Sequence, residues 1–199
     1  MRAITGSDGL PRCGWCGDDP LYVEYHDEEW GRPTTDDRSL FEKVCLEGFQ
    51  SGLSWITILR KRPAFRQAFV GFDMSTVSRF DEDDVARLLS DPGIIRHQGK
   101  IRATINNAAR ALELVAEQGS LADYFWHYAE PATSIPTADM VVTETSSAIA
   151  TDLRRRGWKF VGPTTMYAFM QAMGLVNDHV GQCHVREECE DSRLSVLIG

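Results

Sequence analysis

The stretch that decides the fold is DVARLLSDPGIIRHQGKIRATINNAARAL, residues 84–112. Apolar side chains recur at helical spacing before residue 91 and again after Lys100, and the segment between them contains Gly93 and Gly99. Glycine permits the tight backbone of a short turn. The stretch therefore predicts two helices joined by a hairpin, with free N–H groups at the start of the second helix.

The same helical spacing continues on both sides of this hairpin, and sustained alternation with a period of two is nearly absent. We therefore predict an all-α protein. Pro63 suits the first turn of a helix and Ser120 suits an N-cap, while residues 129–143 form an irregular crossing. Helices are expected over residues 20–29, 36–51, 53–61, 63–70, 82–90, 99–118, 120–128, 144–156 and 163–174.

The length and composition predict one domain. A chain of 199 residues with 43% hydrophobic residues can bury a substantial core. We expect a disordered arm over residues 1–12, one domain of two helical lobes over 13–185 with a pocket between the lobes, and a C-terminal tail over 186–199. No apolar run approaches the ~18 residues of a membrane span, and the N-terminus lacks the apolar stretch of a signal peptide. The expectation is a soluble, cytoplasmic monomer.

The formal charge of −8 does not by itself suggest a nucleic-acid partner, because phosphate neutralisation supplies the sequence-independent part of such binding. Net charge describes the whole surface, however, whereas binding depends on local patches. Basic side chains cluster in three stretches, at residues 60–66, 96–102 and 154–159. The charge is therefore compatible with DNA binding of modest non-specific affinity.

Aromatic and acidic residues are interleaved near the N-terminus. Three of the five tryptophans and two of the five tyrosines lie within residues 15–55, together with Glu29 and Glu47. Aromatic faces and a carboxylate together suit a flat, cationic ligand, which they can stack against and neutralise. The same residues are also compatible with an ordinary core around a solvated glutamate.

Potential metal ligands lie near both ends of the chain. Cys13 and His26 come early, and His179 and Cys183 come late with a spacing that one turn can bring together. A Cys₂His₂ set gives zinc a closed tetrahedral site with no position for chemistry. Cys16, His184 and Cys189 are competing ligands, and spacing alone leaves an unrelated set of side chains equally open.

Several motifs resemble those of the 3-methyladenine DNA glycosylase I (Tag) family, and the resemblance spans roughly residues 13–183. The residues that carry it are Cys-Gly-Trp at 13–15, Tyr-His-Asp-Glu-Glu-Trp-Gly at 25–31, Leu-Glu-Gly-Phe-Gln-Ser-Gly-Leu-Ser-Trp at 46–55, Gly-Ile-Ile-Arg-His-Gln-Gly-Lys at 93–100, Phe-Val-Gly-Pro-Thr at 160–164 and Gly-Leu-Val-Asn-Asp-His at 174–179. The resemblance implies a helix-hairpin-helix glycosylase bundle whose termini are joined by zinc.

The resemblance also implies a function in base-excision repair. Such an enzyme hydrolyses the N-glycosidic bond of 3-methyladenine in alkylated double-stranded DNA, flips the base into a pocket and leaves an abasic site without cutting the strand. Glu47 would be the catalytic residue, because it would accept hydrogen bonds from the amino edge of the base. Trp55 and Tyr25 would sandwich the base. The remaining wall would consist of Tyr22, Trp15 and Trp30.

The resemblance assigns two further sites. One structural Zn²⁺ per chain would be held by Cys13, His26, His179 and Cys183, with Cys16 as a spare. The hairpin would hold a DNA phosphate through the backbone of Gly99 and the side chain of Lys100, since a helix N-terminus favours anions. Lys100 as a Schiff-base nucleophile is disfavoured, because nothing in the sequence around it predicts desolvation.

Two other functional classes stay open on the residues alone. A non-catalytic, zinc-stapled DNA-binding module would carry the same hairpin and the same metal ligands. A binder of small cationic heterocycles would suit the acidic composition. A pocket that combines Glu47 with Trp55 and Tyr25 distinguishes the glycosylase from the DNA-binding module, because a module that only holds DNA does not need it.

Overall fold

The computed structural model describes residues 2–129 and 140–198, which form a small antiparallel hairpin and a set of packed α-helices. The strands are β1 (Ala3–Thr5) and β2 (Pro11–Cys13). The helices are α1 (Pro20–Glu28), α2 (Asp37–Gln50), α3 (Trp55–Ala68), α4 (Met74–Val77), α5 (Glu82–Ser90), α6 (Gln98–Gln118), α7 (Leu121–Trp126), α8 (Glu144–Arg155), α9 (Pro163–Ala172) and α10 (Arg186–Ile198).

The prediction of an all-α protein is confirmed in part, because the structure is mostly helical but also contains the two-stranded sheet; most of the expected helices agree with the structure within two residues. The two helices expected on either side of Pro63 are instead the single helix α3. Pro63 removes one intrahelical N–H, but Ile58 and Phe65, on either side of it, are both fully buried. Burial of the same face on both sides outweighs the lost hydrogen bond and keeps the helix continuous.

The two ends of the chain differ from the expected arm and tail. Residues 3–13 form the β1–β2 hairpin, in which Ala3 pairs with Cys13. Strands of three residues are too short to show a recognisable alternation in the sequence. Residues 186–198 form α10, which buries Cys189 and Arg193 at a spacing of four residues. A hydrogen bond from the His184 N–H to the Pro11 carbonyl, 2.9 Å long, joins the two ends.

Helix α2 is the centre of the fold, because it packs against α3, α6, α7 and α9. Every residue from Leu40 to Phe49 is buried, including the charged residues Glu42, Lys43 and Glu47. An aromatic layer made by Phe49, Phe65 and Phe69 fills the space between α2 and α3. The central helix therefore carries its acidic and basic side chains into the interior, where charged groups are rare unless they serve a site.

Residues 130–139 of the predicted irregular crossing lie outside the described residues, as do Met1 of the predicted arm and Gly199 of the predicted tail. Among the described residues, no helix is both long enough and apolar enough to span a membrane.

Candidate functional site

A cavity of about 210 Å³ lies between α1, α2, α3 and α9. It is smaller than the roughly 300–1,000 Å³ of pockets for drug-sized ligands, so it suits one small ring system. A larger, open depression of about 830 Å³ along α8 has no aromatic side chain among its described lining residues. The small cavity contains all six residues that the sequence assigned to one pocket; its lining is Trp15, Tyr22, Tyr25, Trp30, Glu47, Gln50, Trp55, Ala168 and Gln171.

Among the described residues that line this cavity, Glu47 is the only one with a charged side chain. It is 5% exposed, and no hydrogen-bond donor among the described residues contacts its carboxylate. Burial raises the pKa of Glu47 to about 7, and the charge of Lys43 partly opposes that rise. A buried carboxylate without a partner that faces an open cavity is ready to accept hydrogen bonds from a ligand.

The aromatic rings form a continuous wall around this carboxylate. The centroid of the Trp15 ring lies 5.0 Å from those of Tyr22 and Trp30. The rings of Tyr25 and Trp55 contact each other, with centroids 5.5 Å apart and planes inclined by 42°. A base stacked between two rings needs about 7 Å, since each contact takes about 3.5 Å. The two rings leave no such slot between them in this structure, so the expected sandwich of the base between Tyr25 and Trp55 stays a prediction.

The structure adds three polar residues that the sequence analysis missed. Gln50 and Gln171 line the cavity directly, and Gln171 donates to the Asp178 carboxylate over 2.7 Å. Lys43 lies behind the Tyr25 and Trp55 rings and is 3% exposed. A signal for Lys43 was present in the sequence, because it precedes Glu47 by four residues and so shares its face of α2.

A second cluster brings together Cys13, His26, His179 and Cys183, and all four are buried. Their ligand atoms lie within 4.8 Å of one another. The Cys183 Sγ atom lies 3.4 Å from His179 Nδ1 and 3.5 Å from His26 Nε2, and Cys13 Sγ lies 3.5 Å from His179 Nδ1. Two thiols and two imidazoles that converge in this way form a cluster that could hold a metal ion.

The two histidines of this cluster are oriented by hydrogen bonds on their outer nitrogens. His26 Nδ1 contacts the Asp27 carboxylate at 2.7 Å, and His179 Nε2 contacts the Trp30 carbonyl at 3.1 Å. Each inner nitrogen is thereby directed at the cluster, an arrangement typical of histidine metal ligands. The Trp30 ring packs edge-on against the His179 ring with centroids 4.6 Å apart. The cluster therefore adjoins the wall of the cavity.

The competing cysteines lie outside the four-residue cluster. Cys16 is buried, and its sulfur contacts the Gly17 carbonyl at 3.8 Å. Cys189 Sγ lies 3.6 Å from His179 Nε2, the nitrogen that faces away from the other ligand atoms. His26, which a set built on Cys16 would have left out, is inside the cluster.

The hairpin between α5 and α6 exposes residues 96–99. His97 caps α6, because its Nδ1 accepts the Lys100 N–H over 3.2 Å. The Lys100 side chain is buried, and its Nζ donates to the carbonyls of Phe49 and Ser51 over 2.8 and 2.7 Å. The structure thus gives Lys100 a role different from the expected phosphate contact, since its charge satisfies the carbonyls at the end of α2.

The core is helical, its aromatic cavity surrounds one carboxylate, and a helix hairpin lies nearby. These features define a class of helical proteins that can hold a flat ring beside a helix hairpin. Comparison with known proteins makes this specific. Residues 15–187 match the model of the methyladenine glycosylase family. The DNA-3-methyladenine glycosylase 1 of Escherichia coli (strain K12) is 49% identical over 179 residues, which cover 87% of this chain and 96% of the relative.

Two further relatives agree. The DNA-3-methyladenine glycosylase of Haemophilus influenzae is 41% identical over 86% of this chain and 96% of its own. The structure of 3-methyladenine DNA glycosylase I from Staphylococcus aureus, solved to explain recognition of 3-methyladenine, superimposes with a TM-score of 0.83. It is 33% identical, and the match covers 88% of this chain and 96% of the other. This chain belongs to the methyladenine glycosylase family, and the resemblance to Tag proteins is confirmed.

Proposed function

We propose that this protein is a DNA glycosylase of base-excision repair that releases 3-methyladenine from alkylated double-stranded DNA. The observation that carries the proposal is Glu47, a buried carboxylate with no hydrogen-bond donor among the described residues, in a cavity the size of one small ring system. The family relationship supports the same reaction, since the relatives from E. coli and H. influenzae are named for it. A carboxylate in a low-dielectric cavity attracts a cationic base strongly.

In this reaction the bond between the base and the deoxyribose C1′ breaks, and the electron pair of that bond neutralises the cationic base. Water forms the new bond to C1′ and loses a proton, which leaves an abasic site and an unbroken strand. We assign to Glu47 the hydrogen bonds from the amino edge of the flipped base. Trp15, Tyr22, Tyr25, Trp30 and Trp55 would enclose its faces and edges, with the base stacked on one side of the Tyr25–Trp55 pair.

The hairpin lies where it can hold the strand beside this cavity. Lys100 Nζ ties the first turn of α6 to the carbonyls that end α2, and Gln50 at that end lines the cavity. We assign the phosphate contact to the exposed backbone N–H groups at the start of α6, including that of Gly99. Arg96, exposed beside them and without an ion pair among the described residues, would supply the positive charge.

We assign to Cys13, His26, His179 and Cys183 one structural zinc ion. A tetrahedral site with Zn–S of about 2.3 Å and Zn–N of about 2.1 Å has S···N edges of about 3.6 Å. The S···N distances of 3.4 and 3.5 Å in the cluster match those edges. Four protein ligands would leave zinc no open position, so the ion would stabilise the fold and take no part in the chemistry.

The experiment that tests the proposed reaction is incubation of the protein with methylated duplex DNA and identification of the released bases. We expect 3-methyladenine as a product and no strand cleavage before alkali treatment. Glu47→Gln keeps the volume and removes the charge, so release should slow about ten- to a hundred-fold, the equivalent of roughly 1.5–3 kcal/mol for hydrogen bonds to a charged group. Glu24→Gln, an exposed position on α1, is the matched control. Absence of 3-methyladenine release by the wild type would contradict the proposal.

A further inference from the structure

Lys43 is a buried ammonium that touches two walls of the pocket from behind. Its Nζ atom donates to the Tyr25 hydroxyl over 3.0 Å and to Glu29 over 3.3 Å. It also lies 4.3 Å from the centroid of the Trp55 ring and 4.7 Å from that of Tyr25. Lys43 thus contacts both rings that face Glu47. On α2, Lys43 precedes Glu47 by about one helical turn.

The hydrogen bond from Lys43 fixes the direction of the Tyr25 hydroxyl. An ammonium can only donate, so the Tyr25 oxygen is the acceptor. The hydroxyl hydrogen then remains for another partner, and no acceptor for it exists among the described residues. Since Tyr25 lines the cavity beside Glu47, that hydrogen is available to an acceptor atom of a bound ring.

The charge of Lys43 is not required to neutralise Glu29. Arg62 Nη1 already contacts both Glu29 oxygens at 2.5 and 2.6 Å. The partner that has no other cation nearby is Glu47, whose ionised form is favoured by Lys43 and disfavoured by burial. Burial also lowers the pKa of Lys43, and the charges of Glu29 and Glu47 oppose that fall. The two charges on α2 therefore support each other.

The other groups that face Glu47 do not change charge near neutral pH. On α1, burial raises the pKa of Tyr22 to about 12 and raises the pKa of Tyr25 well above its usual value. On α9 the facing polar residue is the uncharged Gln171, and α3 contributes the Trp55 ring. Lys43 is thus the cation that decides how readily Glu47 carries its negative charge.

We propose that Lys43 is a positioning residue of the base pocket, which holds the Tyr25 hydroxyl as an acceptor and places a fixed positive charge beneath Glu47, so that the pocket presents one hydroxyl hydrogen and one carboxylate to the base. The proposal rests on the glycosylase function above, because it assigns what the base meets. Lys43 itself touches neither the base nor the sugar and acts through Tyr25 and Glu47.

A carboxyl titration of the free protein tests the effect on Glu47 without any reaction. With ¹³C-labelled glutamate, the Glu47 carboxyl signal is identified by its loss in Glu47→Gln, and its midpoint is followed by NMR. Lys43→Met, which fills similar volume without charge, should raise the midpoint by about one pH unit or more. Lys43→Gln should raise it likewise, while Lys43→Arg should restore it towards the wild-type value. Arg79→Met, which removes an exposed cation outside the pocket, should leave it unchanged.

The pH dependence of kcat/KM for 3-methyladenine release is the second measurement, since it reports groups of the free enzyme. In Lys43→Met, the acid limb of this pH profile should move to higher pH by the same number of pH units as the Glu47 carboxyl midpoint. A uniform loss of rate with an unmoved limb and an unmoved midpoint would overturn the proposal, because that result describes a residue needed for folding alone. A wild type that releases no 3-methyladenine contradicts the glycosylase function instead, and the carboxyl titration then still decides whether Lys43 acts on Glu47.

Discussion

The metal cluster and the base pocket lie side by side, yet they treat their polar groups in opposite ways. In the cluster, Cys13, His26, His179 and Cys183 face one another, and the outer histidine nitrogens contact Asp27 and the Trp30 carbonyl. In the pocket, the Glu47 carboxylate has no donor among the described residues. A closed set of partners stabilises a fold, whereas an unpartnered buried charge destabilises it until a ligand arrives.

The difference separates a region that stabilises the fold, the metal cluster, from a region that binds a ligand, the base pocket. The cluster joins residues near both ends of the chain, so its partners are far apart in sequence and its closure restrains a long loop. The pocket is built mainly from α1, α2 and α3, which lie close together in the sequence. Its carboxylate is held ready by the surrounding fold, an arrangement typical of functional sites.

The largest expected effect comes from opening the metal cluster. Cys183→Ser removes one of four ligands, and the loss of a clip between Cys13 and Cys183 should lower the free energy of unfolding by about 5 kcal/mol on a loop-entropy estimate. Metal analysis should show about one zinc per wild-type chain and much less in the variant. Cys16→Ser is the matched control, because Cys16 is buried but lies outside the cluster. Equal zinc content in the wild type and Cys183→Ser would point to Cys16 or Cys189 as a replacement ligand.

The second-largest expected effect is a gain in the free energy of unfolding when the charge of Glu47 is removed from the pocket. The pKa of Glu47 is raised from 4.5 to about 7, so the folded state holds a proton that the unfolded state has lost between those values. The contribution of this proton to stability is complete below pH 4.5 and is lost as the pH rises to 7. Glu47→Gln keeps a neutral side chain at every pH. It should therefore unfold with the wild-type free energy near pH 4.5 and be more stable by about 3 kcal/mol above pH 7.

Chemical denaturation of both proteins at pH 5 and pH 8 measures this difference. Glu24→Gln, at an exposed position, should show no such dependence on pH. A Glu47→Gln variant that is less stable than the wild type at pH 8 would mean that the carboxylate has partners in solution, and the contrast between the two regions would fail. The same substitution should slow base release, so stability and activity should change in opposite directions.

A smaller effect is expected for the aromatic wall. Trp55→Ala removes a stacking surface and should weaken binding of free 3-methyladenine by about 1–3 kcal/mol, as at other contacts between bases and aromatic side chains. Trp55→Phe should retain most of the affinity, because a phenyl ring still offers a flat face. Isothermal titration calorimetry gives both values. Both variants should keep their zinc, since Trp55 contacts no member of the metal cluster; metal loss in either would show that the two regions are one unit.

How much of this could be predicted from the sequence depends on how local the determining physics is. Helical spacing placed α1, α2, α5, α6, α8 and α9 well, because periodicity reflects burial of one face. The six pocket residues were found because family motifs name them, and the structure brings them to one cavity. The hairpin β1–β2 and the helix α10 were missed because their stability depends on contact between the two ends of the chain, as in the His184–Pro11 hydrogen bond.

Side-chain direction was the least predictable feature. The sequence could not show that the Tyr25 and Trp55 rings contact each other, because ring orientation is set by packing among several helices. Lys100 was expected to contact a DNA phosphate, yet its side chain is buried against the carbonyls at the end of α2. The sequence indicates that α6 starts near Lys100. Whether the Lys100 side chain turns inward depends on carbonyl acceptors that lie 49 and 51 residues away in the chain.

The smallest expected effect extends the contrast between satisfied and unsatisfied groups to the hairpin. Lys100 is satisfied by two carbonyls, whereas Arg96 is exposed without an ion pair among the described residues. Arg96→Ala should therefore reduce the magnitude of the slope of log K against log salt for duplex DNA by about 1, with an unchanged spectrum of released bases. Lys100→Met should lower Tm and leave that slope unchanged, because its ammonium contacts no phosphate. Fluorescence anisotropy between 50 and 200 mM salt measures both slopes. If Lys100→Met reduced the slope and Arg96→Ala did not, Lys100 would have to leave its carbonyl partners when DNA binds. The hairpin lysine would then resemble Glu47 of the pocket, because its charged group would be available to a ligand.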